Sequence, residues 1–250
     1  MNRFSLAVWN IYFYIAFLAV SAVVIPVLTF LVALMRIFLS ARQTMKRFRR
    51  AISWYGKSVA AIAACFIKLR YEDFSKEEPL PEPFIFVCNH RSTSDAFLMC
   101  VLPHEVIQIV NSWPFRLPVL GFYARLSGYL NINNMQSDVF FEKAVTLLKD
   151  KVSIVFFPEG TRSGSRRVGN FHGAAFRLAL MSRTPIVPLC ISGNENIPPK
   201  GSLLLRPGTI RVRRLPAIKW EEYKDLSVFN LKNMVRERII TELNQMENGI

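Results

Sequence analysis

Apolar residues dominate the amino-terminal part of the chain. No charged residue occurs between Arg3 and Arg36, and Ile11 to Met35 is almost continuously apolar or aromatic, with Pro26 inside it. Roughly 20 apolar residues cross a bilayer as one helix, so the pattern predicts a membrane-inserting segment. A secretory signal fits less well, because its apolar region has only about 7–15 residues.

Two arrangements of this segment are compatible with the pattern. One is a single spanning helix kinked at Pro26, and the other is a pair of shorter helices that enter one leaflet and return. A core helix of a soluble protein is a third, less favoured interpretation. The following stretch from Ile52 to Ile67 mixes aromatic, aliphatic and small residues, which predicts an amphipathic helix on the membrane or against the domain.

A short linker separates this apolar region from the rest of the chain. Residues Glu72 to Pro83 are acidic and rich in proline, which is typical of a connecting segment. We therefore divide the chain into an N-terminal membrane-anchoring helical segment, residues 1–71, and a main domain, residues 72–250. Short, fully apolar runs in the main domain predict buried strands at Phe84–Cys88, Val106–Val110, Ser153–Phe157 and Pro185–Ile191.

Helical patterns alternate with these strands. Helices are predicted at Asp138–Lys149, Gly173–Met181 and Asn230–Met246, with a helix or turn at Pro118–Gly128. The segment Ile210–Leu215 alternates apolar with basic residues, which is typical of an edge strand. The predicted fold class is α/β: a layered mixed sheet flanked by helices, with an N-terminal membrane-inserting helical segment.

The charge distribution supports a membrane location. The formal net charge is +14, and no Asp or Glu precedes Glu72, whereas ten Lys and Arg residues do. Basic residues near an anionic membrane surface contribute roughly 1 kcal/mol each to binding, and the cluster from Arg36 to Arg50 places that end of the segment on the cytoplasmic side. Nucleic-acid binding is disfavoured, because the basic cluster directly follows an apolar span and no nucleic-acid motif is found.

A histidine and an aspartate follow the first buried strand with four residues between them. His90 lies where the strand gives way to a turn, and Asp95 lies at the start of the next apolar segment. An aspartate in that first turn can accept the imidazole N–H and orient the ring as a general base. This is the arrangement of a serine hydrolase without the enzyme's own serine, so an acceptor substrate would supply the hydroxyl. A structural histidine at a strand end is the alternative.

A second polar turn follows the strand at Ser153–Phe157. Pro158 ends the strand, and Gly160 permits a backbone conformation that other residues resist. Arg162 offers paired N–H donors for a phosphate or carboxylate, and Glu159 can accept from a substrate hydroxyl or orient Arg162. The alternative is a solvated basic loop.

Three blocks in this order resemble the PlsC-type glycerolipid acyltransferase family, whose best-known members acylate lysophosphatidic acid. The blocks are Asn89 to Asp95, Phe157 to Arg162, and Pro185 to Leu189, and the resemblance extends from about Phe84 to Leu215. One such block is weak evidence, whereas three in register are specific. The amino-terminal membrane segment also fits the family.

The resemblance implies a role for each motif residue. His90 would be the general base and Asp95 its orienting partner. The acceptor would be bound by Glu159, Gly160, Thr161 and Arg162, and Pro188 would shape the acyl-donor side. The acyl donor would be acyl-CoA or acyl-acyl-carrier-protein, with no metal and no other cofactor. The main domain would act on membrane lipids at the cytoplasmic face, on the inner membrane if the source is bacterial.

Three asparagines depart from the family pattern. They stand where the family commonly has a lysine and an Asp-Arg pair: Asn111, Asn133 and Asn134. An acceptor with a 1-acyl-glycerol-3-phosphate-like head group, a related lysolipid, and a non-phosphate amphiphile such as an amino-acid lipid therefore all remain open. So do a thioesterase or lipase that uses water, and a non-catalytic lipid-binding protein.

Overall fold

The amino-terminal apolar stretch is a single long helix. The computed structural model describes residues 2–74, 81, 83–112, 114–116 and 118–248. Helix α1 runs from Arg3 to Phe38 and continues through Pro26. Its 36 residues correspond to about 54 Å at the usual rise per residue. The alternative of two shorter helices within this stretch is therefore wrong. Among the described residues, α1 is the one helix long and apolar enough to cross a membrane.

Helix α2, Ala41–Ala63, folds back against α1. Ser40 and Gln43 form a capping box at its start, with each side chain bonded to the other residue's backbone N–H. The Ser21 hydroxyl of α1 lies 2.6 Å from the Tyr55 hydroxyl of α2. The predicted amphipathic helix therefore exists, but it begins earlier than Ile52 and ends at Ala63.

One side of α1 is bonded to the main domain along much of its length. The buried Asn10 side chain donates to the Leu205 carbonyl at 2.9 Å and accepts from the Leu205 N–H at 2.8 Å. Further along α1, the Thr29 hydroxyl lies 2.5 Å from the Tyr123 hydroxyl. The opposite side exposes large apolar residues at helical spacing, which include Phe4, Val8, Ile11, Ile15, Leu18, Val27, Phe30, Leu34 and Ile37. Polar groups thus attach one side of α1 to the protein, while the other side is apolar.

A mixed sheet forms the centre of the main domain. Its strands in the described part of the chain are β1 (Ile67–Asp73), β2 (Ile85–Cys88), β3 (Val106–Val110), β4 (Leu130–Asn131), β5 (Ser153–Phe156), β6 (Ile186–Ser192) and β7 (Gly208–Arg214), in the spatial order β1-β7-β6-β2-β5-β3-β4. Strands β6, β2, β5, β3 and β4 are parallel, β7 is antiparallel to β6, and β1 is parallel to β7. The predicted α/β class with a layered mixed sheet is confirmed.

The prediction of an edge strand at Ile210–Leu215 is wrong. Strand β7 pairs with β6 on one side and with β1 on the other, so β1 is the edge. The alternating basic residues of this segment do not mark a solvent-exposed edge. Arg213, for example, bonds to Glu72 at 2.6 Å and to Glu242 at 2.5 Å. The division at residues 71 and 72 falls inside β1, so the sheet begins before the predicted linker. Residues 75–80 and 82 of that linker lie outside the described residues.

Helices cover both faces of the sheet. They are α3 (Asp95–Leu98), α4 (Pro118–Leu126), α5 (Ser137–Lys149), α6 (Ala174–Ser182), α7 (Trp220–Tyr223) and α8 (Val228–Asn248). Helices α5, α6 and α8 form a core with Ile85 and Val87, whereas Phe84 and Phe86 point to a second core that contains residues of α1 and α2. The apolar run at β2 is continuous because both faces of this strand are buried.

A buried carboxylate connects α2 to the strand layer. Glu105, just before β3, accepts two bonds from Arg42 at 2.8 Å and one from Arg49 at 2.9 Å. The side chains of Arg49 and Glu105 are only 6% and 7% exposed. Arg49 also donates to the Ser127 carbonyl at 2.9 Å. Removal of one partner would leave a buried charge without compensation, which costs about 3–5 kcal/mol.

We therefore predict that Glu105→Ala lowers the free energy of unfolding by about 3 kcal/mol. Thermal unfolding of the detergent-solubilised protein measures the change. Glu221→Ala, which removes an exposed carboxylate on α7, serves as the matched control and is expected to change stability by less than about 0.5 kcal/mol. Equal effects of the two substitutions would contradict the role assigned to Glu105.

Candidate active site

The two polar motifs meet at one edge of the sheet. They follow β2 and β5, which are adjacent parallel strands with Val87 paired to Phe156. The carboxyl ends of neighbouring parallel strands lie at the same edge, so the loops after both strands lie side by side. The ring centroids of His90 and Phe157 are 4.6 Å apart. The sequence-predicted residues at 90–95 and 159–162 therefore form one site.

His90 is held by a buried carboxylate. Its Nδ1 lies 2.6 Å from Asp95 Oδ2, and the Asp95 side chain is fully buried while that of His90 is 20% exposed. The same oxygen accepts from the backbone N–H groups of Arg91 at 2.7 Å and Ser92 at 2.9 Å. An ionised carboxylate requires Nδ1 to carry the proton, which leaves Nε2 as the basic nitrogen.

Asn194 binds the second carboxylate oxygen of Asp95. The sequence around Asn194 does not predict this role. Asn194 is fully buried, and its Nδ2 donates to Asp95 Oδ1, the oxygen that does not contact His90. The Ser94 hydroxyl lies 3.4 Å from the same Nδ2. Asn194 follows β6 and is 99 residues from Asp95 in the chain, so only the pairing of β6 with β2 brings it here.

Arg91 is a second residue whose role the sequence does not reveal. Its guanidinium is buried, donates to Glu195 at 2.7 Å, and forms an ion pair at 2.5 Å with Glu247 near the end of α8. It also donates to the Arg166 carbonyl at 3.0 Å. The residue next to His90 therefore ties this loop to α8 and to the loop after β5.

Glu159 bonds to backbone groups beside His90 and also lines the cavity described below, so its predicted role in acceptor binding stays a prediction. The residue is 7% exposed, and its carboxylate accepts from the His90 N–H at 2.7 Å and from the Gly169 N–H at 2.8 Å. Burial raises the pKa of Glu159, and the two N–H donors oppose that shift. Both carboxylate oxygens are used within the protein, so Glu159 holds the backbone of His90 in place.

The rest of the second motif lines the site. Gly160 has a φ of +67°, and a Cβ at this position would lie 3.1 Å from the His172 ring, so glycine is required for both reasons. Thr161 and Arg162 face the same cavity. Arg162 Nη1 donates to the Thr93 hydroxyl, so the two motifs are also joined by their side chains.

Pro188 lies elsewhere. It is buried in β6, paired with Val87, and its carbonyl accepts from Leu215 at 3.0 Å. It is absent from the lining of the two cavities described below. Its position supports the sheet, and the predicted role on the acyl-donor side stays a prediction.

Two adjoining cavities lie at this edge. A polar cavity of about 640 Å³ contains His90, Glu159 and Arg162 in its lining. An apolar cavity of about 260 Å³ lies among α1, α2, α4 and the sheet. Both are lined by Thr93, Ala96, Gln108 and Val110, so they meet beside His90. Within the described residues, no group of three or more His, Cys, Asp or Glu side chains is placed to hold a metal ion.

Comparisons with known proteins agree with this geometry. Residues 73–192 match the family model described as Acyltransferase. A 1-acyl-sn-glycerol-3-phosphate acyltransferase of Cocos nucifera is 28% identical over 171 residues, which cover 66% of this chain and 56% of the relative. The alpha form from Bos taurus is 30% identical over 173 residues, covering 67% and 60% respectively. The chain thus spans little more than half the length of these relatives.

A solved structure extends the likeness to the whole fold. The 1-acyl-sn-glycerophosphate (LPA) acyltransferase PlsC from Thermotoga maritima superposes with a TM-score of 0.80 and 23% identity. The superposition covers 99% of this chain and 98% of that one, the amino-terminal helices included. With the two motifs joined in one site, these findings show that residues 73–192 are a domain of the Acyltransferase family and that the chain has the fold of PlsC.

Proposed function

We propose that this protein transfers a fatty acyl group from acyl-CoA or acyl-acyl-carrier-protein to the hydroxyl of a lysolipid. The observation that carries the proposal is the position of His90. Its ring is held by Asp95 at 2.6 Å, where a polar cavity meets an apolar one. A base at such a junction can deprotonate a hydroxyl in one cavity beside a carbonyl whose chain occupies the other.

The nearest serine of the motif is not arranged as a nucleophile. The Ser92 hydroxyl lies 3.0 Å from the Ile197 carbonyl and 2.9 Å from the Pro198 carbonyl, and the residue is buried. The hydroxyl that attacks is therefore assigned to the acceptor. This choice favours transfer over hydrolysis, because an enzyme-bound ester would be exposed to water.

The reaction proceeds by direct transfer. His90 Nε2 takes the proton of the acceptor hydroxyl while the oxygen attacks the thioester carbonyl carbon. The carbon–sulfur bond then breaks, and the departing thiolate takes the proton from His90. The products are an ester and a free thiol. Asp95 keeps the ring oriented and stabilises the imidazolium that forms between the two steps.

The apolar cavity is proposed as the site of the acyl chain. Its walls include Ile25 and Leu28 of α1 and Phe48 and Ile52 of α2. An acyl chain placed there would have its thioester at the junction beside His90. Burial of each CH₂ group contributes about 0.8 kcal/mol, so even a modest part of the chain supplies substantial binding energy.

The acceptor is proposed to be a glycerolipid with one acyl chain, or a related lysolipid. The relatives from Cocos nucifera and Bos taurus are named as 1-acyl-sn-glycerol-3-phosphate acyltransferases. This supports an acceptor that presents a hydroxyl beside an acyl chain, and a place in phospholipid biosynthesis or remodelling.

The protein is proposed to act on the cytoplasmic face of a membrane, the inner membrane in a bacterium. The exposed apolar side of α1 suits contact with lipid. Basic residues from Arg36 to Arg50 provide charge complementary to anionic lipids. Since the other side of α1 is bonded to the domain at Asn10 and Thr29, the active site would be kept close to the bilayer.

The first test is His90→Ala in the detergent-solubilised full chain. Labelled acyl-CoA and acyl-acyl-carrier-protein are offered with a panel of lysolipids, and product formation is measured. Loss of a general base is expected to lower the rate by about 10²–10⁴-fold, and a cooperative unfolding transition checks that the variant is folded. Acyl transfer within a few-fold of wild type in His90→Ala would overturn the mechanism.

Glu159→Gln separates support of His90 from acceptor binding. Loss of one charge-assisted bond is expected to lower kcat by about 10–100-fold, because Glu159 contacts the His90 backbone. The KM for the acceptor is expected to stay within about threefold. Glu221→Gln, at an exposed site on α7, is the control. A raised acceptor KM at unchanged kcat would instead assign Glu159 to direct acceptor binding.

Asn194→Ala tests whether Asn194 acts through the His90–Asp95 pair. The substitution is expected to lower kcat about tenfold, because it removes a hydrogen bond to a buried carboxylate. In the His90→Ala background it is expected to have no further effect, because residues that act as a unit are not additive. Independent, multiplicative losses in the double variant would show that Asn194 has only a general structural role.

A further inference from the structure

Most of the polar side chains that line the polar cavity are uncharged. Its neutral polar side chains are Thr93, Gln108, Asn111, Asn133 and Thr161. Its fixed charges are Arg162 and Glu159, and its histidines are His90 and His172. With neutral histidines, the lining carries +1 from Arg162 and −1 from Glu159, which sum to zero.

This balance is a poor match for a phosphate monoester. Such a group carries about 1.5 to 2 negative charges at pH 7 and is bound through strong donors, commonly clustered arginines and lysines. The lining has one fixed cation, Arg162, and one of its N–H donors is used by the Thr93 hydroxyl. Lys200 lies outside the lining, and its amine donates to the Arg162 carbonyl at 3.0 Å.

Amide groups occupy the wall formed by the end of β3. Asn111 Nδ2 donates to the Gly160 carbonyl at 3.0 Å, and Asn133 Nδ2 donates to Asn111 Oδ1 at 3.1 Å. Both asparagines are exposed to the cavity. Each amide has both donor and acceptor atoms, so this wall matches a ligand that also has both. Hydroxyl and amide groups meet that requirement, whereas a phosphate dianion offers acceptors alone.

We propose that the acceptor head group is uncharged and bears hydroxyl or amide groups, without a phosphate. The inference rests on the proposed acyl transfer and specifies its substrate class. A lining with no net charge disfavours a phosphate dianion, whereas its hydrogen-bonding side chains can hold a neutral head group. The cavity volume of about 640 Å³ leaves room for a head group larger than glycerol.

A matched pair of acceptors tests the proposal. They are 1-oleoylglycerol and 1-oleoylglycerol 3-phosphate, which differ only in the phosphate. The full-length wild-type protein is expected to use 1-oleoylglycerol with a kcat/KM at least tenfold higher. An alkyl glucoside is included as a larger phosphate-free acceptor, and acylation of either phosphate-free compound in preference to the phosphate supports the proposal. Equal or preferred use of the phosphate compound overturns it.

Asn111→Lys tests the cause of the selectivity. A cation in the amide wall is expected to raise kcat/KM for 1-oleoylglycerol 3-phosphate about tenfold, the effect of one charge-assisted bond. It is expected to lower kcat/KM for 1-oleoylglycerol, because the wall loses an amide that bonds the neutral head group. Asn133→Lys is the second variant if Asn111→Lys does not fold. Asn244→Lys, exposed on α8 and outside the lining, is the matched control and is expected to have no effect. An equal gain in Asn244→Lys would mean that overall charge, and not the cavity, sets the preference.

The outcomes separate this inference from the proposed function. His90-dependent acylation of phosphate-bearing acceptors alone would retain acyl transfer and reject the neutral head group. Absence of acylation with every acceptor, phosphate-free or not, would reject the proposed function itself, and the neutral head group with it.

Discussion

The buried carboxylate of Asp95 is the constraint on which the site depends. An ionised carboxylate without solvent is costly unless its oxygens are hydrogen-bonded. Here Oδ2 accepts from His90 Nδ1 and from the backbone N–H groups of Arg91 and Ser92, and Oδ1 accepts from Asn194. These donors come from the loop after β2 and from the loop after β6. The same bonds that make the charge tolerable therefore fix the ring of His90 relative to the sheet.

Glu159 applies the same principle from the other side of His90. Its oxygens accept from the His90 N–H and the Gly169 N–H, so the loop after β5 holds the backbone of His90 while Asp95 holds its ring. Two buried acids thus hold one base, one through its ring and one through its backbone. The neighbouring Gly160 and Arg162 remain at the cavity surface.

Much of this arrangement follows from local sequence, and the rest depends on long-range pairing. The apolar runs at β2 and β5 predict two buried strands, and the motifs after them predict one site, because parallel strands end at the same edge. The role of Asn194 cannot be predicted from local sequence, since the pairing of β6 with β2 brings it to Asp95. Ile210–Leu215 was wrongly predicted to be an edge strand. In the sequence, a basic residue that forms ion pairs, as Arg213 does with Glu72 and Glu242, gives the same pattern as a basic residue exposed to solvent.

Helices α1 and α2, which form a helical hairpin, lie between the proposed active site and the surface proposed to contact lipid. Residues of α1 and α2 form walls of the apolar cavity, including Ile25 and Phe48, while the opposite side of α1 exposes apolar residues such as Ile15 and Phe30. One hairpin therefore presents apolar surface both inward to the cavity and outward. Because Glu105 binds Arg42 and Arg49 of α2, the hairpin is fixed to the strand that carries Gln108 at the junction of the two cavities. A lipid chain taken up along α1 would thus meet a base already in position.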